Sequence, residues 1–261
     1  MTLATNFDGF LVDLDGVVWV GGEMLPGAAQ GLRELLEGGH ELVFVTNNPG
    51  RPPAHYAQRL RDAGIEIDDR RVVTAGVATA ALARERAGDG GTAFVIGAPA
   101  FKEEVATAGL ELLDAGSKER AAVVLVSGHR GFDYEELLTA TRMLRQGAEL
   151  LATSRDPTLP MPDGPWPGTG SILAAVETAS GASAEIGGKP ERHLFEQALE
   201  RIPGAERVAM VGDRIASDIE GGRRAGLETV LVLSGATSRQ EAERADPAPD
   251  HVLDDLSGLL R

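Results

Sequence analysis

The stretch "FLVDLDGVVW", Phe10 to Trp19, decides how the rest of the chain is read. It opens as a buried strand and puts two carboxylates where such a strand would end. Asp13 and Asp15 stand two residues apart, and in an extended chain that spacing points both side chains to one face. Like charges held side by side repel, which raises the question of what offsets the cost.

Working outward, strand-like and helix-like segments alternate along the whole sequence. "GFLVDLD" is followed by the helix-like "GAAQGLRELLEGG", the strand "HELVFVTNN" and the helix "PPAHYAQRLRDAG". Near the other end "PERHLFEQALERI", "RVAMVGD", "IEGGRRAG" and "ETVLVLSG" repeat the style. This βαβα order predicts an α/β class built on parallel sheets. A second α/β series lies between, from "GVATAALARERA" to "SILAAVETASG". The expected boundaries are therefore 1–74 and 187–261 for an outer domain and 75–186 for an inserted one. Within the insert, "RDPTLPMPDGPWPGTG" (155–170) is rich in Pro and Gly and too long for a plain connector, which predicts a functional loop.

Composition excludes several classes. At 261 residues and 43% hydrophobic content the chain reads as an ordinary globular protein of one large or two modest domains. The absence of cysteine removes disulfides, thiol catalysis and Cys-based zinc sites. A formal charge of −15 argues against a nucleic-acid polymer as partner, since such binding relies on many contacts from Lys and Arg. A local cationic cluster could still hold one small phosphate. No apolar run approaches a membrane span, and the N-terminus lacks a signal-peptide pattern, so a cytoplasmic protein without membrane partners is expected. Basic residues are 22 Arg against three Lys, and against so strong a preference Lys102, Lys118 and Lys189 each stand out.

Four polar signals fall at predicted strand ends of the outer domain. They are Asp13-Leu-Asp15-Gly16, Thr46-Asn47-Asn48, Gly188-Lys189-Pro190 and the "GDRIASD" run holding Asp213 and Asp218. Pro190 is expected at the first position of the following helix. Alone, each reads as a turn, a helix cap or solvated surface. Ligands of open parallel sheets bind beyond the carboxyl ends of the strands, so together the four should converge. Gathering Asp13, Asp15, Asp213 and Asp218 there would be unfavourable without a cation, and an all-oxygen donor set favours Mg²⁺. His40, His55, His193 and His251 match no metal-site spacing and read as surface or helix residues.

This order of motifs resembles the haloacid dehalogenase (HAD) superfamily. "DLDGVVWVGGEMLPGA", "VTNNPGRPPAHYAQRL", "GKPERHLFEQAL" and "VGDRIASDIEGGRRAGLETVLVLSG" are similar to its subfamily IIA, the NagD-like or 4-nitrophenyl phosphatase branch. "AVETASG" and "PGTGS" in the insert are similar to that branch too, which includes phosphoglycolate and pyridoxal phosphate phosphatases. The resemblance covers nearly the whole chain. It implies a Rossmann-like core with a large α/β cap of the C2 type between the second and third motifs, and 143 positions separate Thr46 from Lys189.

The resemblance further implies Mg²⁺-dependent hydrolysis of a small phosphomonoester, such as a sugar, polyol, glycolate or nucleotide phosphate. Asp13 would be the nucleophile and a metal ligand, forming an aspartyl-phosphate. Asp15 would act as general acid and base, its backbone carbonyl reaching the metal. Thr46, the Asn47 backbone and Lys189 would bind the transferring phosphoryl group, and Asp213 would ligate the metal. Asp218 would hold a metal-bound water or orient Lys189. The cap would select the substrate, with Arg155, Asp156 and Trp166 as candidate readers and the core residues Asn48 and Arg51 lining the same entrance. Caps of this size can also pair, which allows a homodimer.

Three residues depart from the branch pattern: Ser154 for an Asn, His129 for an Asp, and Leu159 near a His that pyridoxal phosphate enzymes carry. Leu159 argues against pyridoxal phosphate as substrate. The rival readings are a phospho-Asp receiver, a HAD phosphotransferase or C–X cleaving enzyme, and a non-catalytic scaffold. Asp15 speaks against a receiver and against dehalogenation, since a leaving halide needs no proton.

Overall fold

The computed structural model describes residues 2–159 and 164–261. It runs β1 (Gly9–Asp13), β2 (Trp19–Val20), β3 (Glu23–Met24), α1 (Ala28–Glu37), β4 (Glu41–Thr46), α2 (Pro53–Asp62) and β5 (Val72–Thr74). Next come α3 (Ala75–Ala87), β6 (Thr92–Ile96), α4 (Pro99–Thr107), β7 (Glu111–Leu113), β8 (Val123–Val126), α5 (Tyr134–Arg145) and β9 (Glu149–Ala152). The short strands β10 (Thr158–Leu159) and β11 (Trp166–Pro167) precede α6 (Thr169–Ser180) and β12 (Glu185–Ile186). The chain ends with α7 (Arg192–Leu199), β13 (Val208–Gly212), α8 (Glu220–Arg224), β14 (Glu228–Val232), α9 (Arg239–Arg244) and β15 (His251–Leu253). No described helix is long and apolar enough to cross a membrane.

Two compact units result. The first comprises Met1–Thr46, Pro53–Val73 and Lys189–Arg261, and the second Asn47–Pro52 and Thr74–Gly188.

In the first unit six strands lie in the order β15-β14-β13-β1-β4-β5. The pairs β1–β13, β1–β4, β13–β14 and β14–β15 are parallel. Strand β1 is buried at every position, as expected of a parallel strand covered on both faces. On one face Phe10, Val12, Phe44 and Val211 form a core with Leu32 and Leu35 of α1 and Leu60 of α2. Burying side chains of that size contributes about 1.5–3 kcal/mol each. The chain leaves β1 toward β4 on one side and returns through β13 on the other. That reversal opens a crevice at the carboxyl ends of β1 and β13, where Asp13 and Asp213 stand.

The second unit is also doubly wound. Its sheet runs β12-β9-β8-β6-β7, with every adjacent pair parallel. Period-two alternation sorts its strands between two layers. Ile96, Val124, Val126 and Leu150 face Met143 of α5 and Val176 of α6. Val95, Val123, Leu125 and Leu151 face Leu82 of α3 and Phe101 of α4. Helix starts follow local chemistry: the Thr74 hydroxyl accepts from Val77 N at the head of α3, and the Asp133 carboxylate from Glu136 N at the head of α5.

Two expectations are corrected. Pro190 does not open α7; the helix starts at Arg192 with Glu191 as its cap, and Pro190 precedes both behind a cis Lys189–Pro190 bond. A proline just outside a helix and one in its first turn leave the same mark in sequence. The segment 155–170 is not one long irregular loop: Thr158 and Leu159 pair antiparallel with Pro167 and Trp166. Its residues 160–163 lie outside the described residues.

Candidate active site

Strand β1 delivers Asp13 to the sheet edge, where it is 5% exposed. Beside it, Thr46 ends β4 one position beyond Val45, the register partner of Asp13. Asp213 follows β13 directly, and Asp218 lies five residues on, inside a single π-helical turn, Ile215–Ile219. Lys189 enters from the segment before α7 and is buried.

These side chains meet. Lys189 Nζ donates to Asp13 Oδ1 at 2.6 Å and pairs with Asp218 Oδ1 at 2.7 Å. The other oxygen of Asp218 accepts from the backbone amides of Asp213 and Arg214 at 3.2 and 3.0 Å. Ser217 Oγ donates to Asp218 Oδ1. Asp213 is fixed differently: its Oδ2 accepts from Ala236 N at 2.6 Å, while its buried Oδ1 has no hydrogen-bond partner among the described residues.

Glycines make room for Asp213. A Cβ on Gly16 would fall 2.2 Å from Asp213 Oδ2, and one on Gly235 would fall 2.1 Å from the same atom. Gly16 also has φ of +94°, in the left-handed region that side chains avoid.

Electrostatics explain what such a cluster needs. Carboxylate oxygens of Asp13, Asp213 and Asp218 all lie within 4.8 Å of one another, and Lys189 is the ammonium among them. Burial pushes the Asp13 carboxyl well above its usual range; Lys189 pulls it down, and Asp218 and Asp213 push it up again. Burial and Asp218 likewise raise Asp213 to about 6. Burial alone would lower the Lys189 pKa, but Asp13 and Asp218 outweigh it and hold the ammonium above the ordinary lysine range. One ammonium cannot neutralise three buried carboxylates. A hard divalent cation would, and the orphaned Oδ1 of Asp213 is the donor it requires. The donor set fits Mg²⁺.

Asp15 is the exception. Strand β1 stops at Asp13, so the period-two argument does not extend past it, and the Asp15 side chain is exposed and outside the carboxylate cluster. Its Oδ1 instead accepts from the Trp19 indole Nε1 at 3.1 Å. The third carboxylate of the cluster is Asp218. Sequence reasoning does not single out Trp19 as a site residue, although an indole donor four positions after an acid is visible in "DGVVW".

The chain matches a family model described as haloacid dehalogenase-like hydrolase over residues 10–111, and a HAD-hydrolase-like model over residues 186–259. It is 35% identical to the dihydroxyacetone phosphatase of Corynebacterium glutamicum, over 96% of this chain and 90% of that protein. The crystal structure of the glycerol phosphate phosphatase of Mycobacterium tuberculosis in complex with magnesium superposes with a TM-score of 0.92. It shares 33% identity across 99% of this chain and 78% of that one. The chain belongs to the haloacid dehalogenase-like hydrolases. Within them it falls in the NagD-like branch: NagD of E. coli K-12 matches with a TM-score of 0.87 and 29% identity over 98% of both chains.

This HAD hydrolase is a phosphatase, and the receiver and scaffold readings fall away. Such phosphatases use a divalent metal.

The remaining candidate residues of this HAD phosphatase lie in the second unit. Asn47 opens its first segment, and Asn48 Oδ1 accepts from Gly50 N at 3.0 Å. Arg51 and Asp156 are exposed. Arg155 is held in place by Glu177, at 3.1 and 3.0 Å from its two terminal nitrogens, and by Ala184 O. Trp166 lies under the Arg130 guanidinium at 4.6 Å. The departures from the branch pattern also find partners or positions. His129 Nε2 meets Glu136 at 2.8 Å, Ser154 Oγ accepts from Asp156 N, and Leu159 is 42% exposed opposite Trp166.

Proposed function

We propose that this phosphatase hydrolyses small phosphomonoesters, foremost phosphates of three-carbon polyols and trioses, through an aspartyl-phosphate on Asp13. The observation that carries the reading is the buried contact of Lys189 with both Asp13 and Asp218, beside an Asp213 oxygen left without a partner. The choice of alcohol is supported by the relatives, whose names are dihydroxyacetone phosphatase and glycerol phosphate phosphatase.

In the first step a carboxylate oxygen of Asp13 attacks phosphorus and the ester P–O bond breaks. Asp15 gives its proton to the departing alkoxide. In the second step Asp15 takes a proton from water, the water oxygen attacks phosphorus, and the acyl–phosphate bond breaks to return Asp13 and release inorganic phosphate. Lys189, kept charged by its two acids, stabilises the transferring phosphoryl oxygens, as do the Thr46 hydroxyl and the Asn47 backbone N–H. Asp218 orients Lys189. Asp13, Asp213 and the Asp15 backbone carbonyl would hold Mg²⁺, which supplies neutralising charge and alignment of nucleophile with phosphate when bound. Selection of the alcohol is assigned to Asn48, Arg51, Asp156 and Trp166, with Arg155 held by Glu177.

The test is phosphate release from a panel of phosphomonoesters with Mg²⁺, with EDTA, and with the Asp13→Asn variant. Turnover that needs Mg²⁺, vanishes in the variant and ranks glycerol and dihydroxyacetone phosphates highest supports the reading. Turnover surviving in Asp13→Asn would overturn the covalent step, and a different ranking would overturn the substrate class.

A further inference from the structure

Trp19 is buried to 1% exposure, yet the one polar atom of its side chain does not go to a backbone carbonyl. The indole N–H donates to Asp15 Oδ1 at 3.1 Å, across the turn that Gly16 begins. That turn is fixed at both ends: Gly16 N donates to Trp19 O at 2.8 Å, and Ser234 Oγ donates to Gly16 O at 2.8 Å. The indole ring is itself packed by two side chains of α2. The Arg59 guanidinium stands 4.0 Å over its centroid, and the Tyr56 ring stacks at 6.3 Å and 15°. Arg59 also donates to Gly22 O at 2.8 Å, tying the β2–β3 hairpin to α2.

An indole can donate but never accept. Asp15 Oδ1 must therefore remain an acceptor while this bond is made. The carbonyl oxygen of a protonated carboxyl is the better acceptor, so this bond favours a proton carried by Asp15 on Oδ2. An exposed aspartate would otherwise rotate among staggered conformers and offer either oxygen. The cation over the ring face is attracted by the ring quadrupole and resists displacement of the indole. A buried indole N–H needs an acceptor, and here that acceptor is an oxygen of Asp15.

We propose that Trp19, braced by Arg59, is a positioning residue for Asp15 that fixes the rotamer of the general acid and leaves Oδ2 to hand over the proton. The inference rests on the reading of Asp15 as general acid. In the step concerned, the Asp13–phosphorus bond forms, the ester P–O bond breaks, and the Oδ2 proton passes to the leaving oxygen. An alkoxide needs that proton to leave; a 4-nitrophenolate leaves as a stable anion without it. The role is therefore visible as a dependence on the leaving group, which a general loss of packing would not produce.

The experiment compares kcat/KM for glycerol 3-phosphate and 4-nitrophenyl phosphate, with Mg²⁺, in the wild type, Trp19→Phe, Arg59→Gln and Asp15→Asn. The ratio of the two values is the readout, with thermal melts confirming cooperative folding. General acid catalysis is typically worth about 10²–10⁴-fold, and a misoriented acid forfeits part of it. Trp19→Phe is expected to lower the glycerol 3-phosphate to 4-nitrophenyl phosphate ratio about tenfold, and Arg59→Gln to lower it about threefold. Asp15→Asn should lower it by at least about a hundredfold. If Asp15→Asn leaves the ratio unchanged, the general-acid reading fails and this inference with it. If Asp15→Asn lowers the ratio but folded Trp19→Phe does not, the positioning role alone is overturned. Should Trp19→Phe fail to fold, an unchanged ratio in Arg59→Gln overturns it.

Discussion

Asp218 Oδ1 lies 2.7 Å from Lys189 Nζ, and both side chains are buried. The same aspartate uses its other oxygen to receive two backbone amides, so every direction around it presents a donor. An Asn in its place would aim its NH₂ either at an ammonium or at two N–H groups. The Asp218→Asn variant is therefore expected to lose about 3 kcal/mol of stability and about a hundredfold in kcat. Urea unfolding and steady-state phosphate release check the two effects. An unchanged urea midpoint would show that the pair is not what holds this turn.

Asp213 presents a different case, because one of its oxygens has no hydrogen-bond partner among the described residues. Adding Mg²⁺ to the metal-free wild type should raise the melting temperature, by a free energy of about 2.7 kcal/mol at a hundred times the Kd. In Asp213→Asn the half-saturating Mg²⁺ concentration is expected to rise at least about tenfold. The melt needs no substrate, so it reads binding apart from turnover. A wild type whose melt ignores Mg²⁺ would remove this cluster as the metal site.

Gly235 tests close approach without backbone strain. Its Cβ would strike the Asp213 carboxylate, whereas its φ lies outside the left-handed region. Gly235→Ala should therefore weaken Mg²⁺ binding by about tenfold or more, through displacement of the ligand. Gly16→Ala suffers the same clash plus the positive φ and should be worse, by about 1 kcal/mol or more in stability. Isothermal titration with Mg²⁺ ranks the two variants, and a Gly235→Ala protein that binds like the wild type would refute the argument.

Glu104 predicts a pH effect in the second unit. Burial raises its carboxyl from 4.5 to about 8, with the Thr74 hydroxyl at 3.4 Å pulling the other way and Glu103 adding to the rise. The folded state thus keeps a proton between pH 4.5 and about 8 that the unfolded state has lost. Stability from this group is present below the lower value and falls as pH rises toward the upper one. Glu104→Gln cannot lose that proton. Relative to the wild type it should gain little at pH 4 and on the order of 2–4 kcal/mol by pH 9. Denaturant unfolding of both proteins across that range is the measurement, and parallel curves would contradict it.

The loop and cap candidates show where local reading reaches its end. Arg155 reads in sequence as a substrate contact because it sits in a stretch rich in Pro and Gly, and the structure adds a pairing with Glu177 on α6. His129 reads in sequence as a departure from the resemblance, and in the structure Glu136 on α5 faces it at 2.8 Å. In both cases the partner lies on a helix whose packing the sequence does not display.

The alternation of strands and helices, the two α/β series and the four strand-end motifs were all determined by the sequence alone. They rest on hydrophobic period and on polar residues placed just after apolar runs, and both are properties of neighbours in the chain. Which carboxylates meet was decided only by the tertiary structure. β1 ends at Asp13, so Asp15 turns to Trp19, while Asp13 and Asp218 meet Lys189 and Asp213 completes the carboxylate cluster. Lys189 reaches Asp13 across 176 positions. Contacts of that span depend on sheet order and on where a strand stops, and no local pattern of side chains encodes either.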